Sequence, residues 1–122
     1  MPVVHAAGLD FAHLPGRRSA DPLTGLAAAE SYAVRVVHVP PGPRTPHRHP
    51  HSDEVTYVVS GHGNAWEDDV RTPVGPGDVV IVPRDVPHAT VAHGDDDLVL
   101  VCFFPAPDLA NNLVELDGPL RD

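Results

Sequence analysis

The chain has 122 residues, with 17 acids against 8 bases and a formal net charge of −9. A chain of this sign is repelled by nucleic-acid phosphates, and no basic stripe overrides the repulsion; all eight bases are arginine, which also excludes Schiff-base chemistry on a lysine. No apolar run approaches the roughly 20 residues that span a bilayer, and MPVVHAAGLD lacks the basic-then-apolar pattern of a signal peptide, so the expectation is a cytoplasmic protein with neither membrane nor nucleic-acid partner.

The first 25 residues, ending in RRSADPLTG, read as loop with one or two short extended pieces. Ser31 to Val39 alternates and is rich in valine, which predicts a strand. PPGPRTP is a turn or an extended entry, because each proline fixes its own φ and biases the residue before it. HRHPH continues extended, and EVTYVVSG is a second clear strand, closed by Gly61. GHGNAWED predicts a third, with its turn at EDDVR. GPGDVVIVP is a turn followed by a strand, RDVP a further turn, and HATVAHG and DLVLVCFFP two more strands. The single cysteine, Cys102, lies in that last apolar run and reads as a small buried hydrophobe. In PDLANNLVEL the spacing of Leu109, Leu113 and Leu116 suits a short helix or a docked tail.

Seven or eight short strands separated by turns, in a chain with 15 prolines and 10 glycines, argue for an all-β sandwich or barrel of one domain. The strand-rich part spans about residues 31–104, with an N-terminal extension at 1–30 and a tail at 105–122.

Chemistry concentrates in HRHPHSDE. Side chains at i and i+2 of an extended segment share a face, so His47 and His49 project together and Arg48 points away. Pro50 bends the chain, and Glu54 opens the next strand. The turn PRDVP delivers His88 at the start of another. A His-x-His pair alone marks only a polar strand face. Three imidazoles and a carboxylate converging from neighbouring strands make a metal site with one or two positions left open. His51, just past Pro50, falls at the rim, as an outer partner or a proton carrier. Tyr57 and Trp66 alternate within apolar strands and read as packing residues.

These residues resemble the two motifs of the cupin superfamily. HRHPHSDEVTYVVSG fits His-x-His-x4-Glu-x6-Gly at His47, His49, Glu54 and Gly61. GDVVIVPRDVPHATVA fits most of Gly-x5-Pro-x-Gly-x2-His-x3-Asn at Gly77, Pro83 and His88. The spacing between the motifs is similar to that of small single-domain bacterial cupins. Gly42 stands one residue nearer His47 than usual, Asp85 replaces the turn glycine, and Ala92 replaces the terminal Asn. Asp tolerates left-handed backbone better than most residues.

The resemblance implies a jelly-roll barrel, or double-stranded β-helix, holding one divalent transition metal per chain on His47, His49, Glu54 and His88. Zinc and iron are favoured among zinc, iron, manganese, nickel and copper. Strand parity adds Thr45, Thr56, Val58 and Thr90 to the pocket, and Arg35 as a contact for a substrate carboxylate. Glu54 or His51 would handle a proton. Cupins include dioxygenases, isomerases, cyclases and plain binders, so the fold does not choose the chemistry. The expectation is a metal-dependent tailoring enzyme of bacterial secondary metabolism acting on a small molecule. The alternatives are a non-catalytic ligand-binding or sensory cupin and a sugar-binding or storage barrel. Small cupins usually dimerise, and CFFPAPDL offers apolar surface for a homodimer.

Overall fold

The computed structural model describes residues 1–122. Strands form where the sequence alternates or runs apolar between Gly and Pro turns: β1 Phe11–Leu14, β2 Arg17–Ala20, β3 Ala33–Val39, β4 His47–Arg48, β5 Glu54–Ser60, β6 Gly63–Glu67, β7 Val70–Val74, β8 Val79–Val82, β9 His88–Ala92, β10 Leu98–Phe104 and β11 Val114–Glu115. They make two antiparallel sheets in the order β1-β2-β3-β10-β5-β8 and β11-β4-β9-β6-β7. The sheets face each other as a jelly roll.

Register sorts the interior into two ends. Along β5 the inward residues are Glu54, Thr56 and Val58, and along β10 they are Leu98, Leu100, Cys102 and Phe104. Strands β5 and β10 pair antiparallel, as do β10 and β3. Val39, Val58, Val74, Ala92 and Leu98 therefore meet at one end as a dry core. At the other end lie the polar inward residues Glu54 and His88, each the first residue of its strand. The core end supplies the hydrophobic stabilisation, at roughly 25 cal/mol per Å² of apolar area removed from water.

Several elements differ from the sequence expectation. The N-terminal segment builds a regular hairpin, β1–β2, which joins the larger sheet through β3. Strand β7, between the turn at EDDVR and GPGD, is not among the expected strands, and it contains Pro73. Its place at the sheet edge explains the tolerance, since the proline's missing N–H has no partner to lose there. The C-terminal leucines form no α-helix. Leu109–Asn111 make a single 3-10 turn, and the chain then extends so that β11 pairs with β4. The tail is docked because Asn112, fully buried, donates to Ser52 Oγ at 2.8 Å and accepts from the His51 backbone N–H at 2.6 Å. Beyond it, the Arg121 guanidinium lies 4.7 Å over the Trp66 ring and donates to Asp68 O and Asp69. Trp66 thus packs under the tail, whereas Tyr57 is half exposed on the outer face of the larger sheet and packs in no core.

Asp85 adopts φ +67 in the turn before β9, the left-handed backbone its substitution for glycine requires. Gly61 has φ +84, and a β-carbon there would collide with the Asp97 carbonyl oxygen and lie 2.9 Å from the Leu98 Cα. Gly77 has φ +89 but open space around it. Gly77→Ala should therefore cost about 1–2 kcal/mol, the left-handed penalty alone. Gly61→Ala should cost clearly more, because backbone must also move. Urea unfolding of the two variants checks this, and equal losses would show that the close approach at Gly61 is relieved cheaply.

Candidate metal centre

Four ligand-bearing side chains arrive from both sheets. His47 lies on β4 directly opposite His88 on β9, and their ring centroids are 4.3 Å apart. His49 follows two residues on, with its ring 5.1 Å from that of His47 and edge-on to Phe104 at 4.7 Å. Glu54 comes across the interior from β5. One ligand atom from each of the four lies within 4.8 Å of all the others, and all four residues are buried.

The hydrogen bonds around the rings decide what the centre can hold. His49 Nδ1 lies 2.7 Å from Asn112 O, and His88 Nδ1 lies 2.9 Å from Val86 O. A carbonyl oxygen only accepts, so each Nδ1 carries a proton, and in the neutral ring each Nε2 presents a lone pair. Those lone pairs face Glu54 Oε1, 2.9 Å from His49 Nε2 and 3.3 Å from His88 Nε2. Both Nε2 atoms and His47 Nδ1 are buried without a hydrogen-bond partner. Acceptors crowded together this way repel unless a cation sits among them. The donor set of three imidazoles and a carboxylate fits a divalent transition metal, and the outer carbonyls orient the rings toward it.

Glu54 is further held by Thr56, whose hydroxyl donates to its second oxygen, Oε2. Burial alone would raise the Glu54 pKa, but hydrogen bonds from His49 and His88, made when their Nε2 atoms carry protons in place of a metal, outweigh it and keep the carboxyl well below its usual range. Burial, reinforced by His88, Arg17 and Arg44, holds His47 well below the usual histidine range, so it stays a neutral ligand.

The four residues open onto a cleft of about 470 Å³, counting its mouth. Of the expected pocket residues, Arg35 and Thr90 line it. Thr45, Thr56 and Val58 do not. Thr56 clamps Glu54, and Val58 belongs to the dry core. The parity argument fails at Thr45 because the chain between Arg44 and His47 is not a continuous strand, and Arg44 takes the inward position instead. His51 is exposed on the outer turn, away from the cleft lining, and contributes only its backbone N–H to Asn112. Cys102 lines the cleft as a protonated thiol, since burial pushes its pKa far up.

Sequence reasoning missed Arg17 and Ser19 from the hairpin, Asn112, Leu109 and Leu113 from the tail, and Arg44. The first five reach the site through long-range pairing that no local pattern announces. Arg44 did carry a signal, as a lone base between prolines three residues before His47.

The His47 shift has a sign. A histidine kept neutral in the fold but free to protonate when unfolded makes stability fall as pH drops below its unfolded value of about 6.5. Glu54, held low, adds stability that persists until pH falls through its depressed folded value. Metal-free protein should accordingly melt at lower temperature near about pH 5 than near about pH 7.5, and His47→Gln should shrink that difference. Calorimetry at the two pH values checks it; a variant with the full wild-type difference would place the loss elsewhere.

The profile of the Cupin domain family matches residues 35–104, more than half of the chain and all four ligand residues. Protein SchB of Streptomyces halstedii is 37% identical over 90 residues, which are 70% of this chain and 65% of SchB, so the match spans just under two thirds of that relative. Among solved structures, KdgF from a Halomonas species superposes with a TM-score of 0.72 at 23% identity, over 90% of this chain and 98% of KdgF. Streptomyces PAC13 with uridine gives 0.75 at 18% identity, over 95% of this chain and 90% of that one. The oxalate decarboxylase–formate complex of Lactobacillus farciminis gives 0.74 at 23%, over 92% of this chain but 35% of the longer one. Likenesses at such identities speak for the fold. The profile match, falling on the two motifs that build the His47, His49, Glu54 and His88 cluster, shows that the chain belongs to the Cupin domain family.

Proposed function

We propose that this cupin is a metal-dependent enzyme acting on a small organic molecule, in a tailoring step of bacterial secondary metabolism such as a cyclisation, isomerisation, oxidation or zinc-dependent bond formation. The observation that carries the reading is the pair of Nδ1–carbonyl hydrogen bonds, which turn two buried Nε2 lone pairs onto a buried carboxylate. A metal bound there supplies a Lewis acid that polarises a carbonyl, enolate or carboxylate, or activates dioxygen. Zinc and iron suit this donor set best, and manganese, nickel and copper also fit it.

The chain's own residues then orient and shield. Leu100, Phe104, Leu109 and Leu113 form the apolar wall of the cleft, and Arg17, Arg35 and Arg44 its cationic side. Glu54 is the only carboxylate in the lining, so a proton moved inside the cleft is moved at its oxygens. With His51 outside, no acid–base group is left in the lining beyond the ligand set, the arginines and the high-pKa Cys102. That scarcity favours, as a second reading, a cupin that binds its ligand without turning it over.

No helix is long and apolar enough to cross a membrane, and we place the protein in the cytoplasm as a homodimer. The interface is the outer face of the larger sheet rather than CFFPAPDL as a whole. Within that run Cys102 and Phe104 point inward, and Phe103 is the one large apolar side chain that is exposed, beside Pro105 and Pro107. Val55, Tyr57 and Val59 of β5 and Val79 and Ile81 of β8 join Phe103 on one exposed apolar face. Contiguous patches of this kind mark association sites, and a second copy presents the matching apolar face.

Two measurements test these readings. Element-resolved analysis should find about one metal per chain, and His47→Ala and His88→Ala should each bind it at least about 10-fold more weakly, since losing a mere outer partner of a ligand already costs that much. Metal with oxygen uptake would select the oxidative chemistries, and tight zinc without it the others. A wild-type protein that takes up no metal even on reconstitution would end the metal-dependent reading. In light scattering, Ile81→Glu should convert a wild-type dimer to monomer. A wild type already monomeric at tens of micromolar would remove the interface.

A further inference from the structure

Three arginines line the cleft, and they are not equivalent. Arg17 pairs with Glu115 at 2.8 Å, and Arg35 with Asp21 at 3.3 Å. Arg44 has no carboxylate partner, although it is the most deeply placed, at 5% exposure. Its backbone is fixed by two hydrogen bonds with Arg121. Its Nη1 donates to Thr90 O at 3.0 Å, which sets the plane of the guanidinium. Its Nε and Nη2 are buried with no partner at all.

Such an arrangement is costly. A buried charge without a counter-charge or full hydrogen bonding destabilises a fold by several kcal/mol. Burial, with Arg17 adding to it, lowers the Arg44 pKa to about 10, which leaves it charged at neutral pH. The free atoms are also specific. Nε and Nη2 carry parallel N–H bonds on one edge of a planar fork, spaced to meet the two oxygens of a single carboxylate. The edge belongs to a residue that lines the same cleft as His47, His49, Glu54 and His88.

We propose that Arg44 is the anchor for a substrate carboxylate, held through its Nε–Nη2 edge, so that the rest of a small carboxylic acid extends between the apolar wall and the four metal ligands. This deepens the proposed function, on which it rests only for what happens at the far end of the molecule. The apolar body is accommodated by Leu100, Phe104, Leu109 and Leu113. A charge of −9 over the whole chain surrounds a cleft whose lining is locally cationic, and an anion bound there supplies the direct contact that Glu54 and Glu115, acting on Arg44 only at a distance, do not make.

The test uses benzoate, its neutral isostere benzamide and the tetrahedral phenylphosphonate, titrated calorimetrically into zinc-loaded and metal-stripped full-length protein. Benzoate should bind both forms, with benzamide at least about 10-fold weaker. Arg44→Met should weaken benzoate by about 30-fold or more, while its melting temperature stays at or above that of wild type, because an unpaired buried charge is removed and no ion pair is broken. A purely structural arginine would do the opposite, lowering the melting temperature and leaving the benzoate-to-benzamide ratio unchanged. Should Arg44→Met fail to fold, Arg44→Gln and the wild-type preference for benzoate still decide. No binding of benzoate, equal binding of benzamide, or tighter phenylphosphonate would each overturn the proposal. Binding that depends on Arg44 in a protein that takes up no metal would keep it while ending the metal-dependent reading; metal uptake with benzoate binding insensitive to Arg44 would do the reverse.

Discussion

The mutual exposure of lone pairs at the polar end of the barrel governs much of what surrounds it. Asn112 O and Val86 O each take the Nδ1 proton of a ring, so in their neutral form His49 and His88 present acceptors to Glu54. In a low-dielectric interior that arrangement is tolerable around a cation and unfavourable without one. Neighbouring structure serves the same end. Thr56 holds the far oxygen of Glu54, Phe104 sets the edge of His49, and Asn112 ties the tail to the loop that carries the histidines.

The dry end of the barrel balances that unfavourable end. Val58 and Ala92 are buried in that core four residues along from Glu54 and His88, so the same two strands supply both ends. This coupling explains why Glu54 and His88 sit at strand starts: each strand is anchored by its apolar inward residues, and its first residue is delivered to the cavity with little freedom left. Both chain ends then close the mouth. Arg17 of the hairpin bonds Glu115 of β11 and joins the two sheets across the cleft. A ligand larger than the closed cleft would have to separate that pair.

Much of this was legible in the chain. The alternation in SYAVRVVHV and EVTYVVSG placed β3 and β5 to within two residues, because period-2 burial is a local property. Asp85 was expected to adopt left-handed backbone, and it does. His47, His49, Glu54 and His88 stood out by residue type and spacing, and the fold brings them together. The reading failed where a local rule met a break or a distant partner. Parity carried across Pro46 put Thr45 in the cleft where Arg44 stands. Strand β7 went unread, and only an edge position allows its Pro73. The leucine spacing of the tail left a short helix or a docked tail open, and burial of Asn112 against Ser52 and His51 decides for the docked, extended segment.

The sequence by itself determined the all-β class, the four residues able to ligate a metal, and the net acidic charge, since these follow from periodicity, residue chemistry and composition. The tertiary structure alone decided which imidazole nitrogens are free, that His51 stays outside while Arg44 lies inside, and that no carboxylate pairs directly with Arg44. Those outcomes depend on which backbone carbonyls and carboxylates come within hydrogen-bonding reach across sheets, through contacts between residues tens of positions apart.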